Sequence, residues 1–186
     1  MGGSHGWGVS KAFTREDERG EPVVIPARAP LPAGVPNYVT ARGLQLLREE
    51  WEQLELERAK VAAGGAQQLD NAGDERRRKQ EFLEGRLAAL AGRIGSASIV
   101  DPHGQAAGLD EVRFGATVTV RPTAKVTGAR RFTIVGVDEA NAATGRLAFV
   151  APMARALLGR RVGDIVSVRR GGGDEELEIL SIAYDV

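Results

Sequence analysis

The chain has 186 residues, 42% apolar and 27% charged, with 25 Lys and Arg against 25 Asp and Glu, which fits an ordinary globular protein of one large or two small domains. Zero net charge excludes the basic excess of a general nucleic-acid binder and favours a protein partner over free DNA. There is no cysteine, which excludes disulfides and thiolate metal sites and agrees with a reducing cytoplasm; the longest apolar runs fall short of a membrane span, and Met1–Gly8 does not read as a secretory signal.

Residues 1–36 are rich in proline and glycine, carry a short charged patch at Arg15–Arg19, and show neither helical nor strand periodicity. They read as a flexible arm. Thr40 then offers an N-cap, and large residues follow at Leu44, Leu47, Trp51, Leu54 and Val61, with Arg58 at the skipped position. This 3-4 spacing is a heptad seam. A second seam at Leu83, Leu87, Leu90 and Ile94, preceded by Phe82, ends at Gly95 and Ser96. Two such stripes have each other to bury against. Antiparallel pairing of Leu44 with Ile94, Leu47 with Leu90, Trp51 with Leu87 and Leu54 with Leu83 puts the turn near Leu69. The arms then span about 44–66 and 72–94, roughly 33 Å at 1.5 Å per residue. Between Ala62 and Glu81 the only large apolar side chain is Leu69, and Gly64, Gly65 and Gly73 weaken the helices there, so a loosely wound tip is expected.

From Ile99 onward the pattern changes to short alternating runs at 117–121, 131–137, 147–150, 165–169 and 177–184, read as five strands. One short helix, Pro152–Leu158, is bracketed by a proline at its first turn and Gly159 behind it. The expected class is α+β: an antiparallel coiled-coil hairpin over 37–98, a linker over 99–110 with a hinge in Asp101–Gly108, and an antiparallel sheet domain with one helix over 111–186.

The run Ala151–Val168 (Ala-Pro-Met-Ala-Arg-Ala-Leu-Leu-Gly-Arg-Arg-Val-Gly-Asp-Ile-Val-Ser-Val) closely resembles the signature of the Gre transcription elongation factors. Val112–Val118 and Arg131–Glu139 resemble the strands of GreB-type members, Thr40–Leu44 and Glu84–Arg86 resemble positions flanking the hairpin arms, and Ser10–Asp17 is similar to the usual GreB-type start. Met1–Val9 is left as an extension. The resemblance implies an FKBP-like C-terminal domain docked on the rim of the secondary channel of bacterial RNA polymerase, with the hairpin reaching toward the catalytic magnesium. By the same resemblance the polymerase contacts fall at Asp138, Pro152, Met153 and Ala154, with Arg155 beside them. Methionine also suits an adaptable contact patch on physical grounds, although core packing explains Met153 equally well. The fold raises prolyl isomerase activity as well, but Phe114, Phe132, Phe149 and Tyr184 mostly alternate into the core rather than line a pocket.

Transcript cleavage by Gre factors depends on a tip resembling Gly-Asp-x-x-Glu-Asn, whose carboxylates hold a second Mg2+ for two-metal hydrolysis of backtracked RNA. Here the tip reads Gln67-Gln-Leu-Asp-Asn-Ala-Gly-Asp-Glu75 and that string is absent. Asp70, Asp74 and Glu75 remain as candidate tip carboxylates, while Asp-Asn-Ala-Gly is equally ordinary turn chemistry. Gly43 and Gly85 lie 42 positions apart. That is shorter than the family pattern by roughly eight residues, which at 1.5 Å per residue withdraws the tip by about 6 Å. Arg76, Arg77, Arg78 and Lys79 follow, pointing in several directions. They read either as contacts to nascent RNA or acidic channel walls, or as a solvated helix end with Glu75 and Lys79 paired at i,i+4. His5 and His103 lie far apart in sequence, against a catalytic or metal role. The function expected is that of a monomeric, cytoplasmic, non-enzymatic Gre-type regulator that modulates or inhibits the polymerase. The alternative is Mg2+-dependent stimulation of cleavage through the acidic tip, the ion being shared with RNA polymerase.

Overall fold

The computed structural model describes residues 24, 28–64, 71–102, 104, 110–124, 128–170 and 173–184. Thr40 caps the first helix as its sequence demands: its Oγ1 accepts the Gly43 N–H at 2.9 Å, and α1 runs over Ala41–Ala63 with Gly64 as its C-cap. At 1.5 Å per residue its length is about 34 Å. Helix α2, Asn71–Gly95, returns antiparallel and is followed by Ser96. Leu47, Leu54, Leu83, Leu87 and Leu90 form the dry seam, with Trp51, Val61 and Ile94 packed at its edges. Ion pairs Glu50–Arg86 and Glu57–Lys79 cross the hairpin at 2.9 and 3.0 Å, within two residues of the register expected from the apolar stripe. Neither helix is long and apolar enough to cross a membrane, and among the described residues no other is.

The hairpin opens from a feature its sequence does not announce. Strand β1, Asn37–Val39, and strand β2, Ala97–Ile99, pair in parallel just outside the two helices. The two helices between them supply the long crossover connection that a parallel pair needs. Asn37 also closes the end of α2, donating from Nδ2 to the Arg93 carbonyl at 2.8 Å, one of the acceptors a helix C-terminus leaves open.

The second sheet contains β3 (Thr117–Pro122), β4 (Arg130–Val135), β5 (Arg146–Ala148), β6 (Ile165–Arg170) and β7 (Gly173–Ala183), in the order β5-β4-β3-β7-β6. Three of its pairings are antiparallel, while β4 and β5 are parallel. The expected sheet was wholly antiparallel. The difference arises between Val135 and Arg146, where two single 3-10 turns, Val137–Glu139 and Ala142–Thr144, carry the chain back to the start of β4. Helix α3, Pro152–Leu157, lays Ala154 and Leu157 on the sheet, both fully buried. The core beneath is Val112, Val118, Val120, Ile134, Leu177 and Ile179, each 0% exposed.

Gly145 is where the return to β5 needs glycine. Its φ is +72°, and an added Cβ would lie 2.6 Å from the Arg131 carbonyl oxygen, a clash with backbone inside a paired strand. Gly145→Ala is expected to cost about 2 kcal/mol, read as a shift of the urea midpoint at unchanged m-value.

Part of the arm expected over 1–36 is built into this fold. Leu31 and Val35 pack on the sheet core, and Tyr38 stacks on Phe114 and Phe149 with ring centroids 5.9 and 5.6 Å apart. Hairpin and sheet domain therefore share an apolar joint, and Gly136 makes room for it: a Cβ there would sit 2.7 Å from the Tyr38 carbonyl oxygen.

Candidate functional site

The tip carries the residues on which cleavage chemistry would depend. Asp70 lies outside the described residues. Asp74 is exposed and paired with Arg77 at 3.2 Å, one turn along the same helix. Glu75, also exposed, is the next residue of α2, so its side chain leaves the helix about 100° away from that of Asp74. Neighbouring helical carboxylates that diverge in this way do not close on one ion, and Mg2+ demands near-ideal octahedral oxygen geometry. Among the described residues no group of three or more His, Asp or Glu is placed to hold a metal.

Two of the four cations, Arg76 and Lys79, reach across to the other arm, and the four do not present one face. Arg76 donates to the Gly64 carbonyl at 3.4 Å, across the hairpin and at the open end of α1. Lys79 pairs with Glu57 on the opposite arm, in place of the i,i+4 partner Glu75 expected from the sequence. Arg77 holds Asp74 and Arg78 is exposed. Four positive charges within one turn also raise the electrostatic cost of a divalent cation there. The described tip residues do not fit a magnesium site.

The face around α3 divides in two. Pro152 and Arg155, three residues apart and thus on one side of the helix, are exposed. Met153 is half-buried against the core and Ala154 is fully buried. Asp138 also points inward: its side chain is 9% exposed, accepting from Arg28 Nη1 at 2.9 Å and facing Arg93 Nε at 3.2 Å. The aromatic rings are likewise engaged, Phe114 and Phe149 with Tyr38 and with each other. The Tyr184 hydroxyl donates to the Glu111 carbonyl at 2.6 Å and accepts the Arg113 N–H.

The hairpin base holds a polar site that sequence reasoning missed. Helix α1 has no acidic residue in its first turn; Glu139, from the 3-10 turn after β4, fills that role from the other domain. Its carboxylate, 1% exposed, accepts the Thr40 hydroxyl at 2.6 Å and is ion-paired with Arg146. An anion at a helix N-terminus is stabilised by the helix dipole. The neighbouring Asp138 serves the other helix, pairing with Arg93 in the last turn of α2. Arg28 bridges Asp138 to Glu50 of α1. Burial alone would lower the Arg28 pKa, but its hydrogen bonds to Glu50 and Asp138 outweigh that effect and the net shift is upward. Adjacent acids at 138 and 139 were visible in the sequence. Their partners, 110 and 99 residues away, were not.

Residues 106–184 match the family model described as transcription elongation factor, GreA/GreB, C-terminal. The transcription elongation factor GreA of Xanthomonas campestris is 35% identical over 154 residues, covering 78% of this chain and 96% of its own. GreA of Alkalilimnicola ehrlichii is 35% identical over 158 residues with the same coverage. Among solved structures, GreA factor homolog 1 (Gfh1) of Thermus thermophilus aligns with a TM-score of 0.36 and 20% identity, over 80% of this chain and 99% of its own. With 35% of the aligned residues identical to GreA proteins across 96% of their length, the chain belongs to the GreA/GreB family.

Proposed function

We propose that this chain binds bacterial RNA polymerase at the secondary channel and modulates elongation without stimulating transcript cleavage. The observation that carries this reading is the tip: Asp74 is paired with Arg77, Glu75 diverges from it, and Arg76 and Lys79 reach across to the other arm. The family likeness supports a polymerase partner, and the exposed pair Pro152 and Arg155 supplies a contact face beside the half-buried Met153. A hairpin withdrawn by about 6 Å delivers no ligand to an ion that tolerates bond-length errors of about 0.2 Å.

Two measurements test the reading. Purified protein is expected to displace a labelled GreA from RNA polymerase, and to leave the RNA of a backtracked complex at full length or to slow its cleavage. Failure to compete at a hundredfold excess would remove the polymerase from the account. Shortened RNA that disappears in an Asp70→Ala variant would replace modulation by Mg2+-dependent cleavage through the tip.

A further inference from the structure

Arg28 precedes both domains in sequence and grips both in space. One guanidinium nitrogen donates to Asp138 of the sheet domain at 2.9 Å, and the other is bound to Glu50 of α1. The second Glu50 oxygen accepts Arg86 of α2 at 2.9 Å. Arg93 of α2 faces the second Asp138 oxygen and donates to the Ala29 carbonyl, the residue next to Arg28. The circuit from Arg86 through Glu50, Arg28 and Asp138 to Arg93 returns to the helix it began on, α2. Its inner members are well shielded, with side-chain exposures of 22% for Arg28, 10% for Arg93 and 9% for Asp138. A few residues further on, Leu31 and Val35 are packed on the sheet core, so the segment carrying Arg28 is itself anchored.

We infer that this N-terminal segment is a strap, and that Arg28 is a positioning residue setting the pitch of the hairpin on the sheet domain. The Thr40–Glu139 contact holds α1 at one end only, and a rod held at one end pivots. Glu50 lies ten residues further along α1, about 15 Å at 1.5 Å per residue. A second attachment at that distance converts the pivot into a fixed angle. The lever is long: tilting an arm of about 34 Å by 10° moves its tip by about 6 Å. The consequence for transcription rests on the secondary-channel reading; the angle itself does not.

The absence of cysteine in the chain allows a direct measurement. Spin labels at Ala62→Cys near the tip and Ser167→Cys on the sheet, both exposed positions, report the tip-to-domain distance in free protein by pulsed electron resonance. The parent is expected to give one narrow distribution. Arg28→Ala should at least double its width with far-UV dichroism unchanged, and Arg28→Lys should recover part of the narrowing, since lysine reaches one carboxylate at a time. Glu50→Gln, which cuts the same bridge at a half-exposed site, should broaden it as well, so the test survives misfolding of an Arg28 variant. Distributions unaltered in both Arg28→Ala and Glu50→Gln overturn the strap. In the polymerase competition assay Arg28→Ala should still displace GreA while its effect on elongation falls several-fold. If the parent itself does not bind polymerase, the functional reading fails and the distance result stands by itself.

Discussion

Glu139→Ala is expected to lower folding stability by about 3 kcal/mol, the low end of the range for breaking a buried ion pair from one side. The carboxylate is 1% exposed and serves three purposes at once: it accepts the Thr40 hydroxyl, pairs with Arg146, and supplies the anion that α1 lacks in its own first turn. Removing it leaves the Arg146 charge and the Thr40 hydroxyl without their acceptor. Arg146 is 21% exposed and recovers some water, which is why the low end applies. Glu139→Gln retains the shape and a neutral acceptor, so about 1–2 kcal/mol is expected there. Gly43→Ala approaches the same site from the other side, because its Cβ would stand 2.8 Å from a Glu139 oxygen, and the carboxylate, held by Thr40 and Arg146, must shift to admit it. Urea titration of the three variants checks the ordering. A loss below about 1 kcal/mol for Glu139→Ala would mean that water screens the pair as at a surface.

The sequence made the elements legible where burial has a period. Leu47, Leu54, Leu83, Leu87 and Leu90 repeat at heptad spacing, and they are the seam. The five alternating runs became the five strands, and the Pro152 to Gly159 bracket enclosed the short helix. What stayed hidden has no period. Strands β1 and β2 are three residues each, too short to alternate visibly. The parallel β4–β5 pairing depends on how two 3-10 turns route the chain, which apolar spacing does not encode. Charged pairing is the least legible of all: Asp138 is a surface residue by type, yet Arg28 and Arg93 draw it inward from distant parts of the chain. The tip falls between these cases. Its carboxylates and cations were plain to read, but whether Asp74 and Glu75 converge depends on α2 already being helical there, which three nearby glycines argued against.

Leu90→Ala is expected to cost about 3–4 kcal/mol, within the range for deleting a fully buried leucine. Leu90 is 0% exposed in a seam of only five buried residues; a two-helix hairpin has no second layer to collapse into the cavity. Leu56→Ala, on the outer face of α1 at 62% exposure, should change stability by no more than about 0.5 kcal/mol and serves as the control. Hydrogen exchange then separates two outcomes that a melting curve merges. If the hairpin opens by itself, amides of α1 and α2 lose protection in Leu90→Ala while those of β3, β4 and β7 keep theirs. If the shared joint of Tyr38, Glu139 and Arg28 couples the domains, protection falls in both together and by similar free energies. The coupled outcome is expected, because the Tyr38 stack, the Glu139 contact to Thr40 and the Asp138 pair with Arg93 all join the base of the hairpin to the sheet domain. Under that coupling, damage to the seam should weaken polymerase competition too, even though the exposed Pro152 and Arg155 face lies on the other domain.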